Sequence, residues 1–175
     1  NGPKSHVAWA ALSDVYEDGG QLLVFVSSRR SAQSEAKKLG QRMEKYLQKN
    51  NPEVLPKLRE LSQRLARSSN SAMGDTLAEC VKGGVAFHHA GLMHAQRTEI
   101  ENAFKERLLY CLSATPTLAA GVNLPARRVL VRDLKRFDDG MSRLLPVMEV
   151  KQMLGRAGRP RYDPVGEAWL ACKGG

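Results

Sequence analysis

The sequence predicts an α/β fold in which helices cover a doubly wound, mostly parallel sheet. Residues 22–26 form a continuous apolar run, which is typical of a strand buried on both faces of such a sheet. Residues 32–47 then place apolar side chains at three- to four-residue steps, as an amphipathic helix does. Strand-like and helix-like segments alternate along the rest of the chain, and this alternation indicates βαβ units.

The remaining elements follow in chain order. Asn50-Asn51-Pro52 ends the first helix, and the leucine stripe within residues 55–65 predicts a second one. A third helix is predicted at about residues 94–105. Short apolar runs predict four further strands, at residues 85–87, 108–112, 129–131 and 166–172. Ligands of doubly wound sheets bind beyond the carboxyl ends of the strands, so we look for a site in the loops that follow them.

The composition fits one soluble domain over residues 1–175. The chain is 42% hydrophobic and 26% charged, which is enough to fill a core, and no apolar run approaches the roughly 20 residues that cross a bilayer. It starts at Asn1 without an initiator Met, so we expect a piece of a longer protein.

The three cysteines are widely spaced and lack a C-x-x-C pair, and no acidic residue or cysteine stands at metal-ligand spacing from His88-His89. We therefore predict reduced cysteines and no metal site.

A net charge of +9 favours an anionic partner, but it does not choose between nucleic acid, an anionic membrane and a solubility effect. The distribution is more informative. Residues 127–161 contain ten basic and four acidic side chains. We predict that this basic belt meets phosphates, with Arg127 and Arg128 among its contacts.

The loop after the first strand carries Ser27, Arg29 and Arg30 at a predicted helix N-terminus. Free N–H groups and the helix dipole attract anions there, although plain capping with solvated arginines explains the same residues. His89 belongs to a predicted turn whose polar side chains face a partner. Thr115 and Thr117 lie in a small, hydroxyl-rich segment that follows a buried strand, where a backbone is able to approach phosphate closely.

Arg156 and Arg159 are the most informative pair. They are three residues apart in the segment Gln152-Met153-Leu154-Gly155-Arg156-Ala157-Gly158-Arg159-Pro160, so a helix or turn projects both from one face. Two parallel guanidinium groups suit the oxygens of a transferring phosphoryl group. The chain has no G-x-x-x-x-G-K-[ST] loop and no Asp-Glu dipeptide, so these residues indicate half of a phosphate site.

These segments together resemble the second RecA-like domain of superfamily-2 DExH-box helicases. Residues 22–32 resemble motif IV, 86–92 motif IVa, 114–126 motif V and 152–160 motif VI. The Ski-like branch fits best, and within it the archaeal replication-fork repair DNA helicases. RNA-processing relatives remain an alternative, as does a non-catalytic nucleic-acid-binding or protein-docking module.

The resemblance implies a role for each matching residue. Arg156 and Arg159 match arginine fingers, and Gln152 matches a nucleotide-sensing position. Gly121 and Asn123 match positions that couple the ATP cleft to nucleic acid. ATP and Mg²⁺ are then held mainly by the first RecA-like domain, and the isolated chain, lacking the P-loop and the DExH box, is expected to be inactive.

The resemblance also implies a strand-separating β-hairpin within residues 133–150. We predict arms at residues 129–137 and 144–150, because Asp-Gly is a strong turn signal between them. The strand-separating residues would be Arg136, Phe137, Asp138, Asp139, Gly140, Met141 and Arg143.

The implied partners are single-stranded and forked DNA, with the first RecA-like domain and further C-terminal domains of the same polypeptide. No membrane partner is expected. The implied location is cytoplasmic and nucleoid-associated in an archaeon, or nuclear in a eukaryote.

Overall fold

A five-stranded parallel sheet organises the computed structural model, which describes residues 3–116, 118, 124, 126, 128–132, 135–138, 141–144 and 167–170. The strands in chain order are β1 Leu22–Phe25, β2 Val85–His88, β3 Cys111–Ala114, β4 Arg128–Val131, β5 Lys135–Asp138, β6 Met141–Leu144 and β7 Glu167–Leu170. The main sheet has the order β2-β3-β1-β4-β7, whereas β5 and β6 pair only with each other. The predicted α/β class with a parallel sheet is confirmed.

Helices connect the strands. They are α1 Pro3–Glu17, α2 Arg29–Asn50, α3 Leu55–Ser68, α4 Ala72–Val81 and α5 His94–Lys105, with a short 3-10 turn at Pro52–Val54. α2 packs on β2 and β3, α4 packs on α2, α3 packs on α4, and α1 packs along β1 and β4. The sheet is thereby shielded from water, which explains why β1 to β4 are buried along their whole length.

α2 forms because its sequence satisfies both the capping and the burial requirements of a helix. The Ser28 hydroxyl oxygen accepts a hydrogen bond from the Ser31 backbone N–H at 3.1 Å, which satisfies one of the unpaired donors of the first turn. One face of the helix is buried, at Ala32, Glu35, Ala36, Leu39, Gly40, Met43 and Leu47. This face is the apolar stripe seen in the sequence, with one acidic residue inside it.

Two glycines allow α2 and α4 to pack closely. A Cβ at Gly40 would lie 2.9 Å from the Cys80 carbonyl oxygen, and a Cβ at Gly83 would approach the Gly40 carbonyl oxygen more closely still. A larger residue at Gly40 would push α2 away from α4, and one at Gly83 would push α2 away from the turn that follows α4. This contact fixes α2, which carries the site described below, against the rest of the domain.

Some sequence-based boundaries were wrong. The third strand occupies Cys111–Ala114 rather than residues 108–112, because the sheet register pairs Cys111 with Leu22 and Val85. The helices α1 and α4 were not predicted.

The described hairpin strands differ from the predicted arms. They are β5 and β6, and the register pairs Asp138 with Met141 and Lys135 with Leu144. Residues 129–131, assigned to the first predicted arm, belong to β4 of the main sheet, where they pair with β1. The predicted second arm extended to residue 150, but residues 145–150 lie outside the described part of the chain.

Candidate nucleic-acid interface

The carboxyl ends of the parallel strands meet at one edge of the sheet. The register aligns Phe25 with both Ala114 and Val131, and His88 with Ala114. The loops that follow β1, β2, β3 and β4 therefore open side by side at this edge. This is where a doubly wound sheet binds ligands.

The N-terminus of α2 presents two exposed arginines at this edge. Arg29 and Arg30 lie in the first turn of the helix, which contains no acidic residue. Ser28 caps the helix, and Ser27 before it is partly buried. Two guanidinium groups beside the positive end of a 22-residue helix form a surface suited to phosphate. The predicted residues Ser27, Arg29 and Arg30 thus stand together.

The turn after β2 lies beside Arg29. A Cβ at Gly91 would be 3.2 Å from Nη1 of Arg29, so the guanidinium lies against this turn. His89 supports the turn from inside, because its Nδ1 accepts a hydrogen bond from the Gly91 N–H at 3.0 Å. Its Nε2 lies 3.1 Å from the side-chain amide of Gln33 on α2.

His89 does not face a partner as predicted. The residue is only 1% exposed and its ring stacks on Phe87 at 5.7 Å. Burial, together with the nearby charge of Arg29, lowers the pKa of His89 to about 4. The ring is therefore neutral at physiological pH and accepts a hydrogen bond within the protein. Through this hydrogen bond His89 holds the Gly91 turn in place beside Arg29.

His88 links β2 to α5. Its Nε2 lies 2.7 Å from Oε2 of Glu101, and burial lowers the pKa of His88 despite this carboxylate. The Thr115 backbone N–H donates to the His88 carbonyl oxygen at 3.4 Å, so the β2 and β3 loops are also joined. Thr115 therefore lies at the predicted edge, although it is largely buried.

Arg128 is not part of this edge, which corrects the prediction that it contacts nucleic acid. It is the first residue of β4 and pairs with Leu22, so it lies at the opposite, amino edge of the sheet. Its buried guanidinium donates through Nη1 to Oδ2 of Asp14 at 2.9 Å and to the Ala11 carbonyl oxygen at 3.3 Å. Arg128 thus anchors α1 to β4.

The sequence reasoning missed a residue at the carboxyl edge of the sheet. Arg132 follows β4 directly, and its Nη1 donates to Oε1 of Glu35 at 2.9 Å. An acidic residue within the apolar stripe of α2 was the available signal for a buried partner.

Several predicted site residues lie outside the described part of the chain. These are Thr117, Gly121, Asn123, Arg127, Asp139, Gly140, Gln152, Arg156 and Arg159. The predicted wedge residues Arg136, Phe137, Asp138, Met141 and Arg143 lie on β5 and β6. The register sets Arg136 directly opposite Arg143 and Phe137 opposite Ser142.

The described part of the chain contains neither a metal centre nor a membrane-spanning helix. In that part of the chain, no three His, Cys, Asp or Glu residues come together as metal ligands. No helix within it combines the length and the apolar character needed to span a bilayer.

Comparison with known proteins identifies a matching family. Residues 62–161 match the family described as the helicase conserved C-terminal domain, which is more than half of the chain. The match begins in α3 and extends through the segment that contains Arg156 and Arg159.

Curated relatives match over most of the chain. The ATP-dependent DNA helicase Hel308 of Methanocella arvoryzae is 49% identical over 163 residues, covering 93% of this chain and 22% of the relative. Proteins of the same name from Pyrococcus horikoshii and Thermoplasma volcanium are 46% and 45% identical, over 83% and 89% of this chain and 20% and 21% of their own lengths. The chain thus spans about a fifth of the length of these relatives.

Proposed function

The chain belongs to the family of helicase conserved C-terminal domains, and from this membership we propose that it is the second motor domain of an ATP-dependent DNA helicase. The motor would move 3′ to 5′ on single-stranded DNA and unwind forked DNA during repair. DNA is favoured over RNA because the relatives that match along most of the chain are named as DNA helicases.

The observation that carries the proposal is the basic N-terminus of α2 at the carboxyl edge of the sheet. Arg29 and Arg30 are exposed in the first turn of α2, and the Gly91 turn lies beside Arg29. Guanidinium groups beside the free N–H groups of a helix N-terminus bind phosphates well, and phosphate contacts carry no sequence information, so this surface would grip DNA independently of its sequence. A motor that moves along a strand needs a grip of this kind.

The catalytic half of the proposal assigns Arg156 and Arg159 to the transferring phosphoryl group. The two guanidinium groups would stabilise the charge that develops on the phosphoryl oxygens, and Gln152 would sense the nucleotide. Gly121 and Asn123 would link this cleft to the DNA grip. Bound ATP supplies the phosphoanhydride whose hydrolysis drives the cycle.

Among the described residues, no three acidic, His or Cys side chains come together as metal ligands. Mg²⁺ needs only one or two carboxylates beside the phosphate oxygens of the nucleotide. From the membership of the helicase family we assign it, with the phosphate cradle, to a first RecA-like domain elsewhere in the polypeptide. That domain and further C-terminal domains would be the partners of this chain.

The direct test uses the complete protein. We expect its ATPase to be stimulated by single-stranded DNA and to drive unwinding of a duplex with a 3′ tail, whereas this chain alone should show no turnover because the phosphate cradle is missing. Strand displacement and phosphate release measure the two activities, and a matched RNA duplex is the control. Equal unwinding of RNA would move the assignment to the RNA-processing branch, and turnover by the isolated chain would refute the split site.

The DNA grip is tested by removing its two arginines. Changing Arg29 and Arg30 to alanine should weaken binding of single-stranded DNA and reduce the salt dependence, whose log-log slope is about −0.7 for each phosphate contacted. If both arginines contact phosphate, the slope should become less steep by about 1.4. Fluorescence anisotropy over a salt series measures both quantities.

The matched control removes the same charge from the far end of the same helix. Lys45 and Lys49 are exposed on α2, distant from its N-terminus. Changing both to alanine should leave the salt slope within about 0.3 of the original value, well below the change expected for one phosphate contact. Equal losses in the two double variants would mean that net charge, and not the helix N-terminus, determines binding.

A further inference from the structure

The strand β4 is held at each end by an arginine that pairs with a helix. At the amino end, Nη1 of Arg128 lies 2.9 Å from Oδ2 of Asp14 on α1. At the carboxyl end, Nη1 of Arg132 lies 2.9 Å from Oε1 of Glu35 on α2. The two pairs have the same length and the same chemistry, but they lie at opposite edges of the sheet.

The acidic partner is buried in the pair at the carboxyl end but exposed in the pair at the amino end. The side chain of Glu35 is 1% exposed and that of Arg132 is 15% exposed, whereas the side chain of Asp14 is 66% exposed. Bulk water therefore has little access to the Glu35 carboxylate. Removing Arg132 would take the arginine away from a buried carboxylate, which is strongly destabilising, so the pair is held in one geometry.

The position of the pair links two parts of the proposed DNA machinery. Glu35 lies in the second turn of α2, the helix whose first turn presents Arg29 and Arg30. Arg132 lies three residues before β5 begins at Lys135, and its backbone N–H donates to the Phe25 carbonyl oxygen at 2.9 Å. Arg132, the last described residue before the hairpin and here called its root, is thus held both to β1 and to α2.

We propose that Glu35 is a positioning residue for strand separation, which holds the hairpin root on α2 through Arg132. The hairpin then moves together with the N-terminus of α2, which would bind the DNA phosphates. Each movement of this domain along the strand would therefore also move the hairpin against the duplex junction. This inference rests on the proposed helicase function. It concerns the coupling between ATP hydrolysis and unwinding, and it assigns no role to Glu35 in hydrolysis itself.

The test is the isosteric change Glu35→Gln in the complete protein. We expect the number of base pairs unwound per ATP to fall about fivefold, while the kcat for single-stranded DNA-stimulated hydrolysis and the KM for that DNA stay within about twofold, since the grip and the cleft are untouched. Strand displacement and ATP hydrolysis are measured in the same reaction. The control is Asp14→Asn, the same chemical change at the other end of β4, which should leave the ratio unchanged.

A further pair of variants separates charge from packing. Arg132→Lys keeps the positive charge and should retain the coupling ratio to within about twofold, whereas Arg132→Met should lose it like Glu35→Gln. If Glu35→Gln does not fold, the double variant Glu35→Leu with Arg132→Met replaces the pair by apolar side chains, a change that buried ion pairs often tolerate. The same fivefold loss of coupling in this folded variant would support the proposal.

The outcomes distinguish this inference from the proposed function. A wild-type protein that unwinds DNA, with Glu35→Gln unchanged in coupling or no different from Asp14→Asn, would overturn the positioning role alone. Full coupling in the double variant would overturn it as well. A wild-type protein that does not unwind DNA would overturn both the proposed function and the inference that rests on it.

Discussion

Changing Arg159 to alanine in the complete protein should lower the kcat for ATP hydrolysis by about 10³-fold or more, while nucleotide binding changes only several-fold. The physical reason is that an arginine finger meets charge that develops mainly in the transition state. A loss of 10³ in rate corresponds to about 4 kcal/mol of transition-state stabilisation. Steady-state hydrolysis gives kcat, and fluorescent-nucleotide titration gives the affinity.

Arg161→Ala is the matched control for this prediction. It removes the same side chain two residues further along, outside the arginine pair of the motif. We expect its kcat to stay within about twofold of the wild type, because it is assigned no contact with the phosphoryl group. An unchanged kcat in Arg159→Ala would remove Arg159 from the site, and a large rise in KM at constant kcat would make it a ground-state binding residue instead.

The elements with the strongest patterns were predicted correctly from the sequence. The run at residues 22–26 contains β1, and the stripe from Ala32 to Leu47 is the buried face of α2. Both signals come from burial, which determines the side-chain period directly. Capping by a serine was one of the two interpretations of the loop after β1, and Ser28 is the residue that caps the helix.

The sequence patterns of the two helices that were not predicted, α1 and α4, are less clear. In α1 the buried residues Ala8, Ala11, Leu12 and Val15 recur at helical spacing, but α1 also carries apolar side chains away from this face. The start of α4 was hidden in a serine-rich segment that reads as a loop. Its last serine, Ser71, in fact caps the helix by accepting a hydrogen bond from the Gly74 N–H at 3.1 Å.

The roles of the basic residues around β4 depend on strand register, which the sequence does not contain. Arg128 and Arg132 are four residues apart in one basic belt, and nothing local distinguishes them. The pairing of Arg128 with Leu22 places it at the amino edge, whereas Arg132 follows the last paired residue. The net charge therefore indicated an anionic partner, but it did not show which arginines face that partner. Arg128 was included in the predicted contacts although its side chain is buried against α1.

Shortening the hairpin should separate unwinding from ATP turnover. The register pairs Phe137 with Ser142 and Asp138 with Met141, so deleting these four residues removes two complete pairs. The deletion keeps Arg136 opposite Arg143 and retains Asp139-Gly140 as the connection, a sequence typical of tight hairpin turns. The hairpin becomes shorter by about 7 Å without a change of register.

We expect duplex unwinding by the shortened variant to fall about tenfold, which corresponds to about 1.4 kcal/mol of barrier. Hydrolysis on single-stranded DNA should stay within about threefold, because it needs only the cleft and the backbone grip. Strand displacement from a 3′-tailed fork and phosphate release on single-stranded DNA measure the two activities. The control is Ser142→Thr, which keeps the length and the register of the hairpin and should unwind like the wild type.

The size of the unwinding loss also tests how the hairpin and the positioning residue act together. Suppose that the hairpin separates the strands and that Glu35 holds its root. Adding Glu35→Gln to the shortened protein should then reduce the number of base pairs unwound per ATP by less than the fivefold expected with the full-length hairpin. The reason is that a hairpin too short to reach the junction gains little from being held in position. Multiplicative losses would show that Glu35 acts independently of the hairpin. Loss of hydrolysis together with unwinding in the shortened protein would show that the hairpin supports the domain itself, and no loss of either activity would show that it does not act as a wedge.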